Sequence, residues 1–297
     1  YNIYRNNYSM PLGVVIDQTI SIEDFEKLSI RQKDVALLNC IVSDDIQESN
    51  LTQYQNELNV ESEEITLEEM YLEGITLAGK NDMYEIQCES EDFNRICLQT
   101  KDMQWTEDNE YIVSFEIYSP TENSIFIQWN EGDVWKQKII SVTEGMNNVN
   151  FTIDYKNTDT LCMYFQKGTY QIGNLHYESS SEDAIDEVYQ SGISEKSFLQ
   201  MDTYENNLIT GTIETEKDSF LLFMIPFDKN WELYVDGKEA QLQQVDYGFM
   251  GSRIAAGNHA IKLDYVPDSN AIPVYISIVG IILLAGYILL LKKKSRG

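Results

Sequence analysis

The sequence predicts a mainly β protein: two β-sandwich units of jelly-roll type, a small mixed α/β segment before them, and one C-terminal transmembrane helix. Short stretches that alternate apolar and polar residues recur between turn-forming clusters, which is typical of a sandwich. Apolar residues follow helical spacing in a region near the N-terminus. Near the other end, residues 271–291 carry no charge and are long enough to cross a hydrocarbon core of about 30 Å.

The N-terminal segment, residues 1–41, is predicted to hold a strand at 12–16 and then a helix. Ser21, with Asp24 three residues later, forms a helix-capping pattern. The helix is predicted to run through EDFEKLSIRQKDVALLNCIV, although Gln32 interrupts its apolar stripe. Residues 42–68 are polar and acidic, so we interpret them as a linker with room for a strand.

Residues 69–178 are predicted to form the first sandwich, and about 110 residues are enough for one such core. Its candidate strands are MYEIQC, RICLQT, YIVSFEIYS, SIFIQWN, VWKQKIIS, NNVNFTID, TLCMYFQ and YQIGNLHYE. Alternation in the third stretch separates two faces. The core face is predicted to hold Tyr111, Val113, Phe115 and Ile117, and the other face Ile112, Ser114, Glu116 and Tyr118.

Residues 179–195 form a joint rich in serine and acidic residues, with room for one helical turn. Residues 196–268 follow as a second, smaller β-sandwich. Within it the alternating stretch WELYV stops at Asp236-Gly237. An Asp-Gly pair in this setting predicts a two-residue type I′ hairpin, because both central residues need positive φ.

The C-terminal region predicts membrane attachment and its sidedness. The transmembrane helix 271–291 has Pro273 in its first turn, where a missing N–H costs nothing. A basic tail, 292–297, follows, and positive flanking charge marks the cytoplasmic side. We therefore expect a protein of the cell membrane whose bulk is extracytoplasmic and whose tail is cytoplasmic.

The net negative charge limits which kinds of molecule the protein can bind. The formal net charge is −28 over 297 residues. A surface so acidic repels phosphate backbones, which argues against nucleic acid. Solvation of a large exposed surface accounts for the acidity. A calcium site in the acidic loops stays open, although no loop has the periodic ligands of a calcium-binding motif.

The four cysteines, Cys40, Cys88, Cys97 and Cys162, lack the spacing of a metal site. Cys88 and Cys97 flank a polar stretch and could face each other across a hairpin, so a disulfide between them is one alternative. Free thiols in the interior are the other, and composition favours them.

The sequence assigns no catalytic, cofactor-binding or metal-binding residue. His176 lies in a strand and His259 at a hairpin turn, a placement that suits neither a catalytic triad nor a zinc site. No glycine-rich phosphate loop precedes a helix. Carboxylate pairs such as Asp44-Asp45 carry little information among 49 acidic residues.

Three tryptophans are candidates for stacking against sugar rings. Trp129 and Trp135 flank a turn, where they could pair across the tip of a hairpin, and Trp105 precedes another strand. Aromatic rings beside Asn, Gln and Asp suit sugars, whose C–H faces stack while their hydroxyls form hydrogen bonds. Packing over the end of the sandwich core is the alternative, which large aromatic residues favour.

Two strings near the C-terminus carry a family resemblance. WELYVDGK at 231–238 and FMGSRIAAGNHAIKLDYVP at 249–267, followed by the apolar helix and basic tail, resemble the end of the YfhO family of bacterial membrane proteins. The opening YRNNYSMPLG resembles the family's Y-x-N-x-x-x-L-P-x-G stretch, with Met10 in place of the usual Leu. RQKDVALLNCI resembles the segment after it. The resemblance says little about residues 69–178.

The resemblance implies that the chain is the last part of a polytopic glycosyltransferase of the GT-C type. Such enzymes take a sugar from a polyprenyl-phosphate carrier and add it to a cell-envelope glycopolymer such as lipoteichoic acid. Their catalytic carboxylate lies on an early extracytoplasmic loop, so this chain is expected to cap the enzyme or position the acceptor, beside upstream membrane helices. The alternative is a single-pass surface protein whose sandwich binds carbohydrate or protein without a catalytic role.

Overall fold

The computed structural model describes residues 11–46, 51–67, 70–80, 83–91, 94–99, 103, 105–106, 108–153, 158, 160–194, 197–267, 281–282 and 284. Strands far outnumber helices in this part of the chain, so the prediction of a mainly β protein is confirmed. The chain divides into two compact units. One comprises Val15–Lys196, and the other Ser197–Gly297 together with Pro11–Val14.

The chain begins with a small mixed α/β segment. Its elements are β1 (Gly13–Ile16), β2 (Gln18–Ile20), α1 (Ile22–Glu26), α2 (Ile30–Asn39), β3 (Ile41–Val42) and β4 (Thr52–Gln53). Strand β2 pairs in parallel with both β3 and β4. Phe25, Ala36 and Tyr54 are buried in a small core with Ile20 and Val42, so the two helices cover this three-stranded sheet.

The prediction of one continuous N-terminal helix is wrong, because the chain forms two. Ser21 caps α1 as predicted, and its hydroxyl accepts a hydrogen bond from the backbone N–H of Asp24 at 3.0 Å. Ser29 and Gln32 then form a capping box at the start of α2. Ser29 has extended backbone angles, so a helix that begins after Ser21 cannot continue through this residue. Gln32, which interrupts the apolar stripe, also donates to the carbonyl of Leu58 at 3.0 Å.

Two antiparallel sheets form the main body of the first unit. Their strands are β5 (Glu61–Glu64), β6 (Tyr71–Glu73), β7 (Ile75–Lys80), β8 (Met83–Cys88), β9 (Arg95–Gln99), β10 (Asn109–Ser119), β11 (Asn123–Glu131), β12 (Val134–Val142), β13 (Gly145–Ile153), β14 (Thr160–Tyr164) and β15 (Gly168–Ser181). The six-stranded sheet has the order β13-β10-β15-β8-β7, and β5 also pairs with β15. The five-stranded sheet has the order β12-β11-β14-β9-β6.

From β8 to β15 the chain follows the path of a jelly roll. The strands cross between the two sheets at every step except from β11 to β12, which form a hairpin. The resulting orders, β13-β10-β15-β8 and β12-β11-β14-β9, are those of two interlocked Greek keys. These eight strands are the eight alternating stretches of the sequence, because half-buried strands show period-two alternation directly.

Side chains from both sheets share one core. The predicted core face of β10 enters it, with Tyr111, Val113, Phe115 and Ile117. Ile125 and Ile127 of β11 and Leu161 and Met163 of β14 come from the other sheet. Burial of each such side chain contributes about 1.5–3 kcal/mol to folding, so this core is the main source of stability for the unit.

Both segments that we predicted as joints hold packed secondary structure. Strand β5 lies within 42–68 and pairs with β15, a central strand of the six-stranded sheet. Within 179–195, helix α3 (Glu182–Ser194) is longer than the single turn expected. Its Ile185 packs with Val35 of α2 and with Leu58.

The second unit contains two further sheets. Its strands are β16 (Gln200–Glu205), β17 (Leu208–Thr215), β18 (Ser219–Pro226), β19 (Trp231–Val235), β20 (Lys238–Ala240), β21 (Gln243–Val245), β22 (Phe249–Ile254) and β23 (Gly257–Tyr265). One sheet has the order β16-β17-β23-β19-β20, and the other β1-β18-β22-β21. Strand β1 comes from the N-terminal segment of the sequence but forms an edge of this sheet, whose other strands lie some 200 residues later. A backbone hydrogen bond links the two regions, since Met224 N donates to Leu12 O at 2.8 Å.

The predicted hairpin at Asp236-Gly237 is confirmed. Val235 pairs with Lys238, which leaves a loop of two residues between β19 and β20. Asp236 has φ of 53° and Gly237 φ of 77°, as a type I′ turn requires.

The predicted transmembrane helix, 271–291, and basic tail, 292–297, lie outside the described residues except for Ile281, Ile282 and Leu284. Within the described ranges we find no helix with the length and apolar character that a membrane span needs.

Candidate functional site

The outer side of the five-stranded sheet in the first unit carries aromatic and polar side chains. Phe126 alternates with the core residues Ile125 and Ile127, so its ring points away from the core. Residues paired across strands share this side. One row across β12, β11, β14, β9 and β6 is Ile139, Phe126, Tyr164, Arg95 and Glu73, and the next is Gln137, Gln128, Cys162, Cys97 and Tyr71. We call this surface the aromatic face.

The aromatic face is open to solvent and includes a groove. Trp135 is 59% exposed, Tyr71 56% and Phe126 39%. The groove has a volume of about 690 Å³, and its floor includes Phe126, Gln128 and Tyr164. Asn94, Gln166 and Lys167 line it from the adjoining loops. A cleft of this size accommodates a few sugar residues or a comparable small ligand.

Hydrogen bonds hold the polar side chains of the face in place. Arg95 Nε donates to Glu73 Oε2 at 2.6 Å, and another guanidinium nitrogen of Arg95 donates to Tyr164 Oη at 3.3 Å. These two bonds raise the pKa of the Arg95 guanidinium. The guanidinium carbon also lies 5.9 Å from the centroid of the Tyr164 ring, in cation–π range. The tyrosine ring is therefore oriented before any ligand arrives.

One end of the groove is fixed by a buried amide. Asn94 is 3% exposed, and its side-chain nitrogen donates to Ser90 O at 2.7 Å and to Phe165 O at 3.3 Å. Its side-chain oxygen accepts from the backbone N–H of Ser90 at 2.9 Å. Asn94 thereby ties the loop before β9 to the end of β14.

A disulfide crosses the aromatic face, and the alternative of a Cys88–Cys97 bond is wrong. Cys97 bonds to Cys162, its direct partner on the neighbouring strand, with 4.1 Å between their Cα atoms. Cys88 is instead a buried free thiol on the core side of the other sheet. The sequence stretch between Cys88 and Cys97 is not a hairpin, because β8 and β9 belong to different sheets.

The other two cysteines, Cys40 and Cys88, are buried and form no disulfide within the described residues. The expectation of thiols in the interior, which composition favoured, is wrong for Cys97 and Cys162, because these two are bonded to each other. Burial raises the pKa of the Cys88 thiol to about 12. Such a thiol stays protonated at neutral pH and is a poor nucleophile.

The three candidate tryptophans lie in three different environments. Trp105 is 7% exposed and stacks on Tyr111 at 4.3 Å between ring centroids, with Tyr177 edge-on at 5.3 Å. Trp129 packs against the core from the inner side of β11. Trp135 lies on the aromatic face. Trp129 and Trp135 do not form the expected cross-strand pair, because Trp129 pairs with Lys136 and Trp135 with Asn130.

The two histidines lie far apart in the chain and in different units. His259 Nδ1 is 2.8 Å from Asp236 Oδ2, so it joins two hairpins of the second unit. His176 Nδ1 is 2.7 Å from Asn174 O. Among the residues that the structure describes, no group of three or more His, Cys, Asp or Glu side chains is arranged to hold a metal ion.

Sequence reasoning missed the other members of the aromatic face. Phe126, Tyr164 and Arg95 lie in strands that were predicted, and strict alternation in SIFIQWN separates Phe126 from its core neighbours. The sequence does not show that β11 pairs with β14. The paired residues are 32 to 38 positions apart, since Phe126 pairs with Tyr164 and Trp129 with Leu161. That pairing brings Tyr164 beside Phe126.

Comparison with protein families identifies the chain. The model of the bacterial membrane protein YfhO matches residues 1–277. The chain belongs to the YfhO family. An uncharacterized YfhO protein of Bacillus subtilis (strain 168) is 25% identical over 293 residues, which cover 97% of this chain and 32% of that protein. This YfhO chain therefore spans about a third of the length of the curated relative that it matches.

Solved structures share parts of the fold of this YfhO chain at low similarity. A carbohydrate-binding module of family 29 is 12% identical with a TM-score of 0.33, over 40% of this chain and 92% of the module. The C-terminal family 6 carbohydrate-binding module of a laminarinase from Zobellia galactanivorans is 12% identical with a TM-score of 0.31. This match covers 41% of this chain and 100% of the module. At these scores we draw no functional inference from the likeness.

Proposed function

We propose that this chain is the C-terminal extracytoplasmic part of a polytopic membrane glycosyltransferase, and that its jelly roll binds the glycan acceptor through the aromatic face. The whole protein takes a sugar from a polyprenyl-phosphate carrier and adds it to a cell-envelope glycopolymer such as lipoteichoic acid. In this proposal the catalytic carboxylate lies outside the chain, and the part described here caps the enzyme and positions the acceptor.

Membership of a family of bacterial membrane proteins supports the membrane setting. Because the chain covers only 32% of its relative, an enzyme that needs many membrane helices is compatible with the match. The predicted helix 271–291 would then be the last anchor, with the basic tail in the cytoplasm.

The aromatic face is the observation that carries the assignment to glycan binding. Phe126, Tyr164 and Trp135 offer apolar ring surface on one side of a rigid sheet, and Gln128 and Gln137 lie between them. A sugar ring presents a C–H face to an aromatic ring and hydroxyls to neighbouring amides, so it matches this alternation. Phe126 and Tyr164 are direct cross-strand partners, so their two rings lie side by side on this surface.

The disulfide supports the extracytoplasmic position. Cys97 and Cys162 are joined in the middle of the sheet, and disulfides persist in oxidising compartments but are rare in a reducing cytosol. Because like charges repel, the strong negative charge limits the proposed contact to uncharged sugar units of the acceptor, away from the anionic backbone of a polymer such as lipoteichoic acid.

Calorimetric titration of the 297-residue chain in detergent with cell-envelope oligosaccharides tests the proposal. We expect wild-type binding, and at least tenfold weaker binding for Phe126→Ala and Trp135→Ala. Tyr204→Ala is the matched control, since Tyr204 is 70% exposed on a strand of the second unit. Equal loss in the control, or no binding by the wild type, would contradict glycan recognition by this face.

The alternative, a surface protein without a catalytic role, gives a different result in cells. The two variants are introduced into the full-length protein, and the sugar content of the envelope polymer is measured. The proposal expects less glycosylated polymer for both variants and an unchanged level for Tyr204→Ala. Unchanged glycosylation together with lost binding would favour the alternative.

A further inference from the structure

A second cleft lies on the opposite side of the jelly roll, against the outer side of the six-stranded sheet. It has a volume of about 860 Å³. We call it the bulge cleft and define it by six polar side chains that line it: Glu64, Ser114, Glu116, Asn148, Asn150 and His176. Ile30, the first residue of α2, lies at its border.

An irregularity between β10 and β15 shapes the cleft. Ser114 pairs with His176, but Glu116 pairs with Gly173, so Phe115 on β10 faces two residues, Asn174 and Leu175, on β15. Asn174 has φ of 51°, a left-handed conformation that asparagine tolerates better than most residues. A bulge of this kind bends its strand and redirects the side chains next to it.

Strand register places four of the polar side chains in one straight row. Asn150, Ser114, His176 and Glu64 are direct partners across β13, β10, β15 and β5. Direct partners in an antiparallel sheet lie on the same side with Cβ atoms about 4.5–5.5 Å apart. The side is the outer one, because Val113 and Phe115 on either side of Ser114 face the core.

Ser114 is the feature that points to a ligand. It is only 7% exposed, and its hydroxyl has no hydrogen-bond partner within the described part of the chain. A buried hydroxyl without a partner costs free energy, whereas one that lines a cleft can donate to and accept from a molecule bound there. The sheet thus presents a desolvated hydroxyl at the floor of an open cavity.

The charges of the cleft select the kind of ligand. Glu64 and Glu116 are carboxylates, and the lining residues that the structure identifies include neither lysine nor arginine. Arg31, next to Ile30, is engaged by Glu110 and Asp34. An anion would therefore be repelled, while a molecule with several hydroxyls could donate to the carboxylates and use the amides of Asn148 and Asn150 in both directions.

We propose that the bulge cleft binds a neutral sugar residue, separately from the aromatic face. Phe115 and Val149, which also border the cleft, turn their side chains into the core, so recognition depends on the polar side chains of the cleft. The proposal does not rest on glycan binding by the aromatic face, because the two sites are on opposite sheets and share no residue.

The test is titration of the 297-residue chain with glucose, galactose and N-acetylglucosamine, observed by saturation-transfer NMR. We expect at least one of them to bind in the millimolar range. Ser114→Ala and Asn150→Ala are each expected to weaken binding at least tenfold. Thr152→Ala, on the same side of β13 but outside the lining residues, is the control and keeps wild-type affinity.

A structural role for Ser114 predicts something different. If its hydroxyl only stabilised the sheet, Ser114→Ala would lower the melting temperature of the free protein. We expect the melting temperature to stay the same or rise, because the variant removes a buried group without a protein partner. Wild-type affinity in Ser114→Ala would overturn the proposal, as would equal weakening in Thr152→Ala.

The double variant Phe126→Ala/Trp135→Ala separates this inference from the proposed function. It should keep its monosaccharide affinity, since binding at distant sites is additive. If monosaccharide binding disappears in it, the signal comes from the aromatic face and the bulge cleft is not a sugar site. If only a primary amine or a phosphate binds to the cleft, the assignment to neutral sugars is overturned.

Discussion

His259 and Asp236 join the two hairpins that carry the family-like strings of the second unit. His259 Nδ1 lies 2.8 Å from one carboxylate oxygen of Asp236, and the backbone N–H of Ala260 donates to the other at 2.9 Å. Asp236 N in turn donates to Ala260 O at 2.8 Å. The aspartate of the tight turn therefore fixes the start of β23, which explains why an Asp-Gly turn and a Gly-x-His string occur together.

The Asp236 contacts predict a pH-dependent stability. The hydrogen bonds from His259 and Ala260 hold the pKa of Asp236 below its ordinary value. The pKa of Asp236 is therefore lower in the folded protein than in the unfolded chain. The stabilisation by its carboxylate is complete above about pH 5 and is lost as the pH falls through the folded-state pKa. Asp236→Asn is expected to lower the melting temperature at pH 7, and the difference from wild type should shrink as the pH falls below about 4, where the unfolded carboxylate takes up its proton.

Asn also suits the type I′ turn, so the variant tests the carboxylate and not the turn. Asp202→Asn, at an exposed position on β16, is the control. A difference in melting temperature that persists unchanged at low pH would argue against the carboxylate as its cause.

Gly251 is required by close packing in β22. A Cβ atom there would lie 2.3 Å from a ring carbon of Phe220 and 2.5 Å from the carbonyl oxygen of Leu221. Gly251→Ala is therefore expected to cost about 1–3 kcal/mol of unfolding free energy, measured by denaturant titration. Gly248→Ala is a matched control three residues away, where a Cβ atom meets nothing within 4 Å. A loss in the control as large as in Gly251→Ala would contradict the packing explanation.

The disulfide assignment predicts the thiol count and a stability difference. Two thiols, Cys40 and Cys88, should react with an alkylating reagent in the denatured, unreduced protein, and neither should react quickly in the native state. Replacement of both Cys97 and Cys162 by Ala should cost about 2–4 kcal/mol, since their bond closes a long loop of the unfolded chain. Four reactive thiols in protein purified from an oxidising compartment would contradict the bond.

Alanine substitution of the three tryptophans should lower the free energy of unfolding by three different amounts. Trp105→Ala removes a core ring that stacks on Tyr111 and is expected to cost about 3–5 kcal/mol. Trp135→Ala should cost less than about 0.5 kcal/mol, as expected for an exposed position. Trp129→Ala should fall between them because Trp129 packs on the edge of the core. Denaturant titration measures all three, and a large loss for Trp135 would mean that its ring is a packing residue.

The predicted sidedness has a direct test in intact cells. An epitope placed after Gly297 should survive added protease, because the four basic residues before it favour the cytoplasmic side. The two β units, which the prediction places outside the cytoplasm, should be digested under the same conditions. Digestion of the epitope while the β units stay intact would reverse the orientation and remove the basis for an envelope acceptor.

Period-two alternation was enough to find all eight strands of the jelly roll and the core face of β10. Residues 111, 113, 115 and 117 enter the core as predicted because a half-buried strand must bury alternate side chains. The sequence signals for the Asp236-Gly237 turn and the Ser21 cap also lie within a few residues, and both predictions are confirmed. The break at Ser29 was missed although its capping box is local, because Gln32 was interpreted only as a polar interruption of the helix.

The sequence by itself determined the eight strands of the jelly roll, where the tight turn lies and that the chain resembles the YfhO family, because each of these depends on neighbours within a few residues. It did not indicate β6 and β7, which precede the jelly-roll strands. Tertiary structure alone decided the partners. It paired Cys97 with Cys162, placed Phe126 beside Tyr164, joined β1 to β18 and put Asn150, Ser114, His176 and Glu64 in one row. The physical reason is that strand order and register are set by how two faces fill one core, and no local pattern in the chain encodes that choice.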